Sequence, residues 1–162
     1  MKTPSSQALA AKAIKQYMKA NGIIGRVTSD SFAGGNSVDA SVTDLTPDAY
    51  KKLCVFAERY QYGSFNSMED LYEYSNSRND IPQAKYVTVN NNISDGLSQL
   101  IWDYILNNYN GVEGAPAMAD DAYNFRNVNF GESGGMLILR LFCGGFNNQQ
   151  FWDFYNKQPI AA

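Results

Sequence analysis

Ser37-Val38-Asp39-Ala40-Ser41-Val42-Thr43 is the stretch that decides how this chain folds. Val38, Ala40 and Val42 alternate with Ser37, Asp39, Ser41 and Thr43. A period of two suits a strand with one buried face and no helix. Just upstream stands Phe32-Ala33-Gly34-Gly35-Asn36, whose glycines permit the positive φ of a tight turn. Before it, Ile23 to Asp30 alternates again, with Ile23 and Val27 on one face and Arg26, Thr28 and Asp30 on the other. The three pieces predict a β-hairpin.

Helical patterns flank the hairpin. From Ser6 to Asn21, Leu9, Ala13, Ile14, Tyr17 and Met18 recur at steps of three and four. Lys12, Lys15 and Lys19 lie away from that stripe, Pro4, Ser5 and Ser6 offer a start, and Gly22 suits a left-handed stop. Downstream, Thr46 stands at a cap position, Pro47 at the first helical position and Asp48 at the positive end of the dipole. Ala49, Tyr50, Leu53, Cys54, Ala57 and Tyr60 form the expected apolar stripe, which makes Cys54 a core residue rather than a reactive one.

Residues 61–83 read as a loop, a short strand at 71–75 and a polar turn, and Lys85 to Val89 as a further strand ended by Asn90-Asn91-Asn92. A third helix is predicted from Ser94 to Tyr109, with Leu97, Leu100, Ile101, Tyr104 and Ile105 inward. Residues 112–127 read as a long loop, a common binding element. Met136 to Cys143, between glycine pairs, leans toward a short buried helix with a strand as the alternative, and Asn147 to Asn156 reads as an aromatic last helix with Phe151, Trp152 and Tyr155. The expectation is an α+β fold: a two-layer, antiparallel four-stranded sheet with helices packed on one face, and a C-terminal helical extension over 91–162. All 162 residues then form a single domain.

Composition narrows the function. Hydrophobic residues make up 44% and charged residues 18%, as in a globular chain. No stretch approaches a bilayer span, and Lys12 and Lys15 interrupt the only apolar run near the start, so a cytoplasmic location and no membrane partner are expected. The chain contains no histidine. Triads that use imidazole as base and histidine metal sites therefore go, and Cys54 and Cys143 cannot make a four-thiolate site. No metal or cofactor is expected. Carboxylate-pair hydrolysis survives in principle, but the reading is of a non-enzyme.

The net charge of -3 opposes direct nucleic-acid binding. The charge is uneven: Lys2, Lys12, Lys15 and Lys19 occupy the first twenty residues without an acid, whereas residues 95–132 hold Asp95, Asp103, Glu113, Asp120, Asp121 and Glu132 against Arg126 alone.

Three motifs invite chemistry. Gly131-Glu132-Ser133-Gly134-Gly135 fits a nucleophile elbow, yet no base exists for Ser133, which reads instead as a helix cap in a glycine-rich turn. Ala33 to Ser37 resembles a phosphate loop but leads into a strand, so it reads as a hairpin turn. Glu69, Asp70, Glu73 and Asp80 lack any EF-hand spacing and read as solvated acids. Tyr60, Tyr62, Phe65, Tyr72 and Tyr74, interleaved with Asn and Ser, have the chemistry of an adaptable protein-binding surface.

Ser29-Asp30-Ser31-Phe32-Ala33-Gly34-Gly35-Asn36-Ser37, Tyr60-Gln61-Tyr62-Gly63-Ser64-Phe65 and Tyr72-Glu73-Tyr74-Ser75-Asn76 together carry a family likeness. Over about residues 8–90 the chain resembles the large polyvalent protein-associated domain family, in its short α-β-β-α-β module. The resemblance implies a setting in phages, plasmids and other mobile elements and implies no catalytic residue. Small proteins of such elements often antagonise host defence, as anti-CRISPR and antirestriction proteins do. The expected partner is a host defence protein or ribonucleoprotein complex. Acids would occupy phosphate positions in its basic groove. The expected contacts are Glu113, Asp120, Asp121 and Tyr123, then Glu69 and Glu73. The alternative is a nucleic-acid-binding accessory protein using Lys12, Lys15 and Lys19 with tyrosines as stacking platforms.

Overall fold

The structure, a computed structural model, describes residues 3–108, 126–127, 132–133, 142 and 148–157. Its contacts divide the chain into two compact units, Met1–Asn92 and Ile93–Ala162.

The first unit is α+β. Helix α1 spans Ser6–Ala20, and strands β1 (Gly25–Phe32) and β2 (Gly35–Thr43) form the antiparallel hairpin, with Phe32 opposite Gly35. Gly34, at φ 90°, holds the second turn position in the left-handed region. Helix α2 (Pro47–Glu58) follows, then two short strands, β3 (Ser64–Asn66) and β4 (Leu71–Glu73), then β5 (Tyr86–Asn92).

The main sheet has three strands in the order β1-β2-β5, and β5 runs parallel to β2. This corrects the expected four-stranded antiparallel sheet. A strand that neighbours its predecessor in parallel needs a long crossover, and α2 supplies it. The strand expected at 71–75 does not join this sheet: β4 pairs with β3, in a stretch read from sequence as a loop, as a separate two-stranded hairpin.

Register explains the core. Val27, Val38, Ala40, Val42, Val87 and Val89 turn to one face and pack with Ala10, Ile14, Met18, Leu53 and Ala57 of the two helices. Arg26, Thr28, Asp30, Phe32, Asp39, Ser41, Tyr86 and Thr88 alternate onto the uncovered face. The buried stripe of α1 is Gln7, Ala10, Ala11, Ile14 and Met18, rotated from the expected one so that Leu9 is exposed. Gln7 can be inside because Ser31 Oγ accepts from its Nε2 and its Oε1 accepts from Asn36 Nδ2 at 3.3 Å. The helix stops as expected at Gly22, φ 67°, where the Ile23 and Gly22 amides donate to the Met18 and Lys19 carbonyls in a Schellman pattern. In α2, Thr46 Oγ1 accepts from the Ala49 amide at 3.4 Å, with Pro47 behind it.

The second unit contains α3 (Asp95–Asn108), β6 (Arg126–Asn127) paired with β7 (Glu132–Ser133), and α4 (Asn148–Asn156). Leu97, Ile101, Trp102, Tyr104 and Ile105 of α3 form a core with Phe142, Phe151 and Trp152. Trp102 was absent from the expected stripe; α3 buries a wider face than a single row of apolar residues indicates. The remainder of 112–127 and the stretch Met136 to Cys143, apart from buried Phe142, lie outside the described residues.

Candidate functional site

The sequence motifs meet at one end of the first unit. The Phe32 ring stacks on Tyr86 at 6.2 Å, Tyr86 meets Tyr72 edge-on at 5.7 Å, and Tyr72 meets both Tyr62 and Tyr74, which stack on each other at 5.5 Å. Lys85 pins this row to the hairpin turn: its Nζ donates to the Gly34 carbonyl at 2.9 Å and lies 5.1 Å from the centre of the Tyr72 ring. Its amide donates to Asn36 Oδ1 at 2.7 Å. Lys85 was not singled out from sequence, since a lone lysine ahead of a strand carries no motif.

Side-chain amides hold the connecting segment in place of regular secondary structure. Gln61 Oε1 accepts from the Val87 amide at 2.7 Å while its Nε2 donates to the Gly63 carbonyl at 2.7 Å. Buried Gln83 donates to the Arg59 and Asn76 carbonyls and accepts from the Arg78 amide. Gly63 is required on packing grounds: a Cβ there would stand 2.0 Å from the Glu73 carbonyl oxygen. The glycine and amides of Tyr60-Gln61-Tyr62-Gly63 therefore build the platform under the rings.

The β3–β4 hairpin projects from this platform. Phe65 pairs with Tyr72 and shares its face; Leu71, Asn66 and Glu73 share the other. Met68 at the tip is 94% exposed, Tyr74 67%, Leu71 57% and Phe65 54%. Glu69 and Asp70 are exposed in the same turn, and Asp70 adopts φ 51°. Glu73 Oε1 accepts from Asn66 Nδ2 at 2.7 Å. Thus Glu69 and Glu73, two of the expected contact residues, stand on one hairpin beside four exposed apolar side chains. Glu113, Asp120, Asp121 and Tyr123 lie outside the described residues.

Burial, and then neighbouring tyrosines, push the Tyr72 phenol up to about 12, and the same causes raise Tyr62. Burial also raises the Cys54 thiol, partly offset by a hydrogen bond with Tyr50. Asp80 is held below the usual carboxylate range by Arg78, whose guanidinium it pairs with. Among the described residues, no three acids or thiols converge as a metal site. Ser133 is paired in β7 opposite Arg126, and the residues after it, on which its reading as a helix cap depends, lie outside the described residues.

One surface escaped the sequence reading. Asp48, Lys51, Lys52, Val55, Phe56 and Arg59 follow one stripe of α2 and, with Tyr17, line a shallow cavity of about 470 Å³. Its rings are engaged within the protein: Tyr17 stacks on Phe56 at 4.0 Å and the Arg59 guanidinium lies 4.4 Å from the Phe56 centre. Comparison with protein-family models, curated proteins and solved structures finds no match.

Proposed function

We propose that this protein acts by occupying a surface on another macromolecule, with the β3–β4 hairpin as its principal contact. The observation that carries the reading is the joint exposure of Phe65, Met68, Leu71 and Tyr74 beside Glu69, Asp70 and Glu73. Met68 at the tip and Leu71 beside it lie outside the hydrophobic core, and exposed apolar side chains of this kind suit the centre of an interface. Acids around them steer toward a basic partner and disfavour an acidic one.

The setting implied by the resemblance makes that partner a host defence nuclease complex, of the kind met by anti-CRISPR or antirestriction proteins. Such complexes hold nucleic acid in basic grooves, which an acidic hairpin can enter. Glu113, Asp120 and Asp121 add further acidic charge to the chain. A nucleic-acid-binding role fits less well. Lys12, Lys15 and Lys19 are exposed on α1, which covers one face of the sheet, while Phe32 and Tyr86 project from the other. The α1 lysines and these two rings thus do not share a groove.

The test is capture of purified defence complexes, and of partners from host lysate, by the wild-type chain and by Met68→Ser/Leu71→Ser and Glu69→Lys/Glu73→Lys variants. Capture and inhibition that weaken in both variants support the hairpin. Undiminished inhibition in both removes it from the interface. Multiple-turnover chemistry abolished by one point change would replace the reading with an enzyme.

A further inference from the structure

Strand β1 ends the main sheet, and among the described residues nothing pairs with its outer side. Its register against β2 runs without interruption from Gly25 to Phe32, so no bulge blunts the edge, and it contains no proline. Every residue except half-buried Val27 is exposed. A strand of this length left open is a template for another strand.

The turn fixes which backbone groups are open. Phe32 and Gly35 flank a two-residue turn and so form a hydrogen-bonded pair. By alternation Arg26, Thr28 and Asp30 also direct their amides and carbonyls to β2. Gly25, Val27, Ser29 and Ser31 direct theirs outward. The Ser31 amide agrees: it donates to the side chain of Asp30 at 2.8 Å instead of across the ladder.

We propose that two copies of the chain join edge to edge along β1, antiparallel, with the two-fold axis at Thr28. The sequence around Thr28 is self-complementary. Arg26 then faces the partner's Asp30, and Ile24 faces the partner's Phe32. Both pairs repeat by symmetry, all on the uncovered face of the sheet. Ile24 is 91% exposed and Phe32 47%, and among the described residues Arg26 has no ion-pair partner. The open backbone groups match as well: Val27 meets the partner's Ser29 as a hydrogen-bonded pair, and the Gly25 amide meets the carbonyl of the partner's Ser31, whose own amide is held by Asp30. Arg26 and the partner's Asp30 fall in a non-hydrogen-bonded pair, where side chains approach most closely.

Other registers compatible with the open groups lose this match. Centring on Val27 sets Ile24 against the partner's Asp30, and centring on Ser29 sets Arg26 against the partner's Phe32. Centring on Arg26 or on Asp30 places like charges opposite each other. A second copy therefore fits this edge in one register, and the interface is isologous and closed. The pairing joins two three-stranded sheets into one and involves none of the hairpin residues Met68, Glu69, Leu71 and Glu73.

Sedimentation velocity over a concentration series tests this, using the full chain. The wild type is expected to approach twice the mass of the chain as concentration rises. Arg26→Asp and Asp30→Arg should each raise the dimer dissociation constant about tenfold or more, since each creates two like-charge pairs. The double variant Arg26→Asp/Asp30→Arg restores complementarity and should return the constant to near the wild-type value. Thr28→Cys, at the axis, should form an interchain disulfide on oxidation, whereas Ser29→Cys, displaced from it, should not. A chain that stays monomeric throughout overturns the proposal. So does a dimer indifferent to both single reversals, or one that the double reversal fails to restore.

Discussion

The side-chain amide of Asn91 pairs with both backbone polar groups of Leu45: Oδ1 accepts from the Leu45 amide at 3.0 Å and Nδ2 donates to the Leu45 carbonyl at 2.8 Å. Strand β2 has ended two residues earlier, and Asp44, at φ 56°, has turned the chain toward α2. Asn91 thus supplies the hydrogen bonds that a further strand residue would have made. It fixes the start of the crossover that sets β5 parallel to β2.

Replacing Asn91 by leucine keeps the bulk and leaves both Leu45 groups without that partner. The expected loss is about 1–3 kcal/mol, because half-buried backbone groups lose their bonds. Asn90→Ala, on the exposed face of the same strand, should stay within about 0.5 kcal/mol of wild type. Urea unfolding of the two variants measures the difference.

Gly63 and Gly96 should respond in opposite directions to alanine. At Gly63 the new Cβ would meet the Glu73 carbonyl oxygen at 2.0 Å, and the contact is backbone, so the β3–β4 hairpin must move. A cost of about 1–3 kcal/mol follows from overpacking. At Gly96, in α3, a new Cβ would have Ser94 Oγ at 3.9 Å as its nearest neighbour among the described residues, and there alanine should stabilise by about 0.5–1 kcal/mol through helix propensity. Thermal unfolding of each variant checks the sign.

What the sequence made legible was local. The Thr46 cap with Pro47, the Gly22 stop and the alternation of Val38, Ala40 and Val42 each depend on residues within a few positions, and each stands where the pattern placed it. Pairing partners were not legible, because the direction of β5 depends on a crossover and on contacts such as Asn91 with Leu45. Hydrophobic periodicity also misplaced the inner face of α1. It ranks Leu9 above Gln7, whereas Gln7 is inside because Ser31 and Asn36, far along the chain, satisfy its amide. At the candidate site the tyrosines and Glu69 and Glu73 were visible as residue types. Their convergence with the Gly34 turn was not, since it runs through Lys85.

Tyr72 should give the protein an alkaline limit. Its phenol is raised to about 12 in the folded chain against an ordinary value of 10, first by burial and then by Tyr62, Tyr86 and Tyr74. Folding therefore favours the protonated phenol. The associated stability is fully present below pH 10 and is lost as pH rises from 10 toward 12. Phenolate absorbance during an alkaline titration should show a late-titrating component that shrinks in Tyr72→Phe. Unfolding midpoints of the wild type should fall over that interval and those of Tyr72→Phe should fall less.

The hairpin offers a separation of binding from stability. Met68 and Leu71 are 94% and 57% exposed, so Met68→Ser/Leu71→Ser removes little buried area and should leave the unfolding midpoint near wild type. If these side chains seat in a partner, the same change should weaken capture about tenfold or more, mainly by faster dissociation. Glu69→Lys/Glu73→Lys should act differently, slowing association and reducing its dependence on salt, because exposed acids at the rim of an interface steer the encounter. Surface-binding kinetics at two ionic strengths resolve the two effects. Equal loss of association and dissociation behaviour in both variants, accompanied by a lowered unfolding midpoint, would assign the hairpin to the fold and not to the partner.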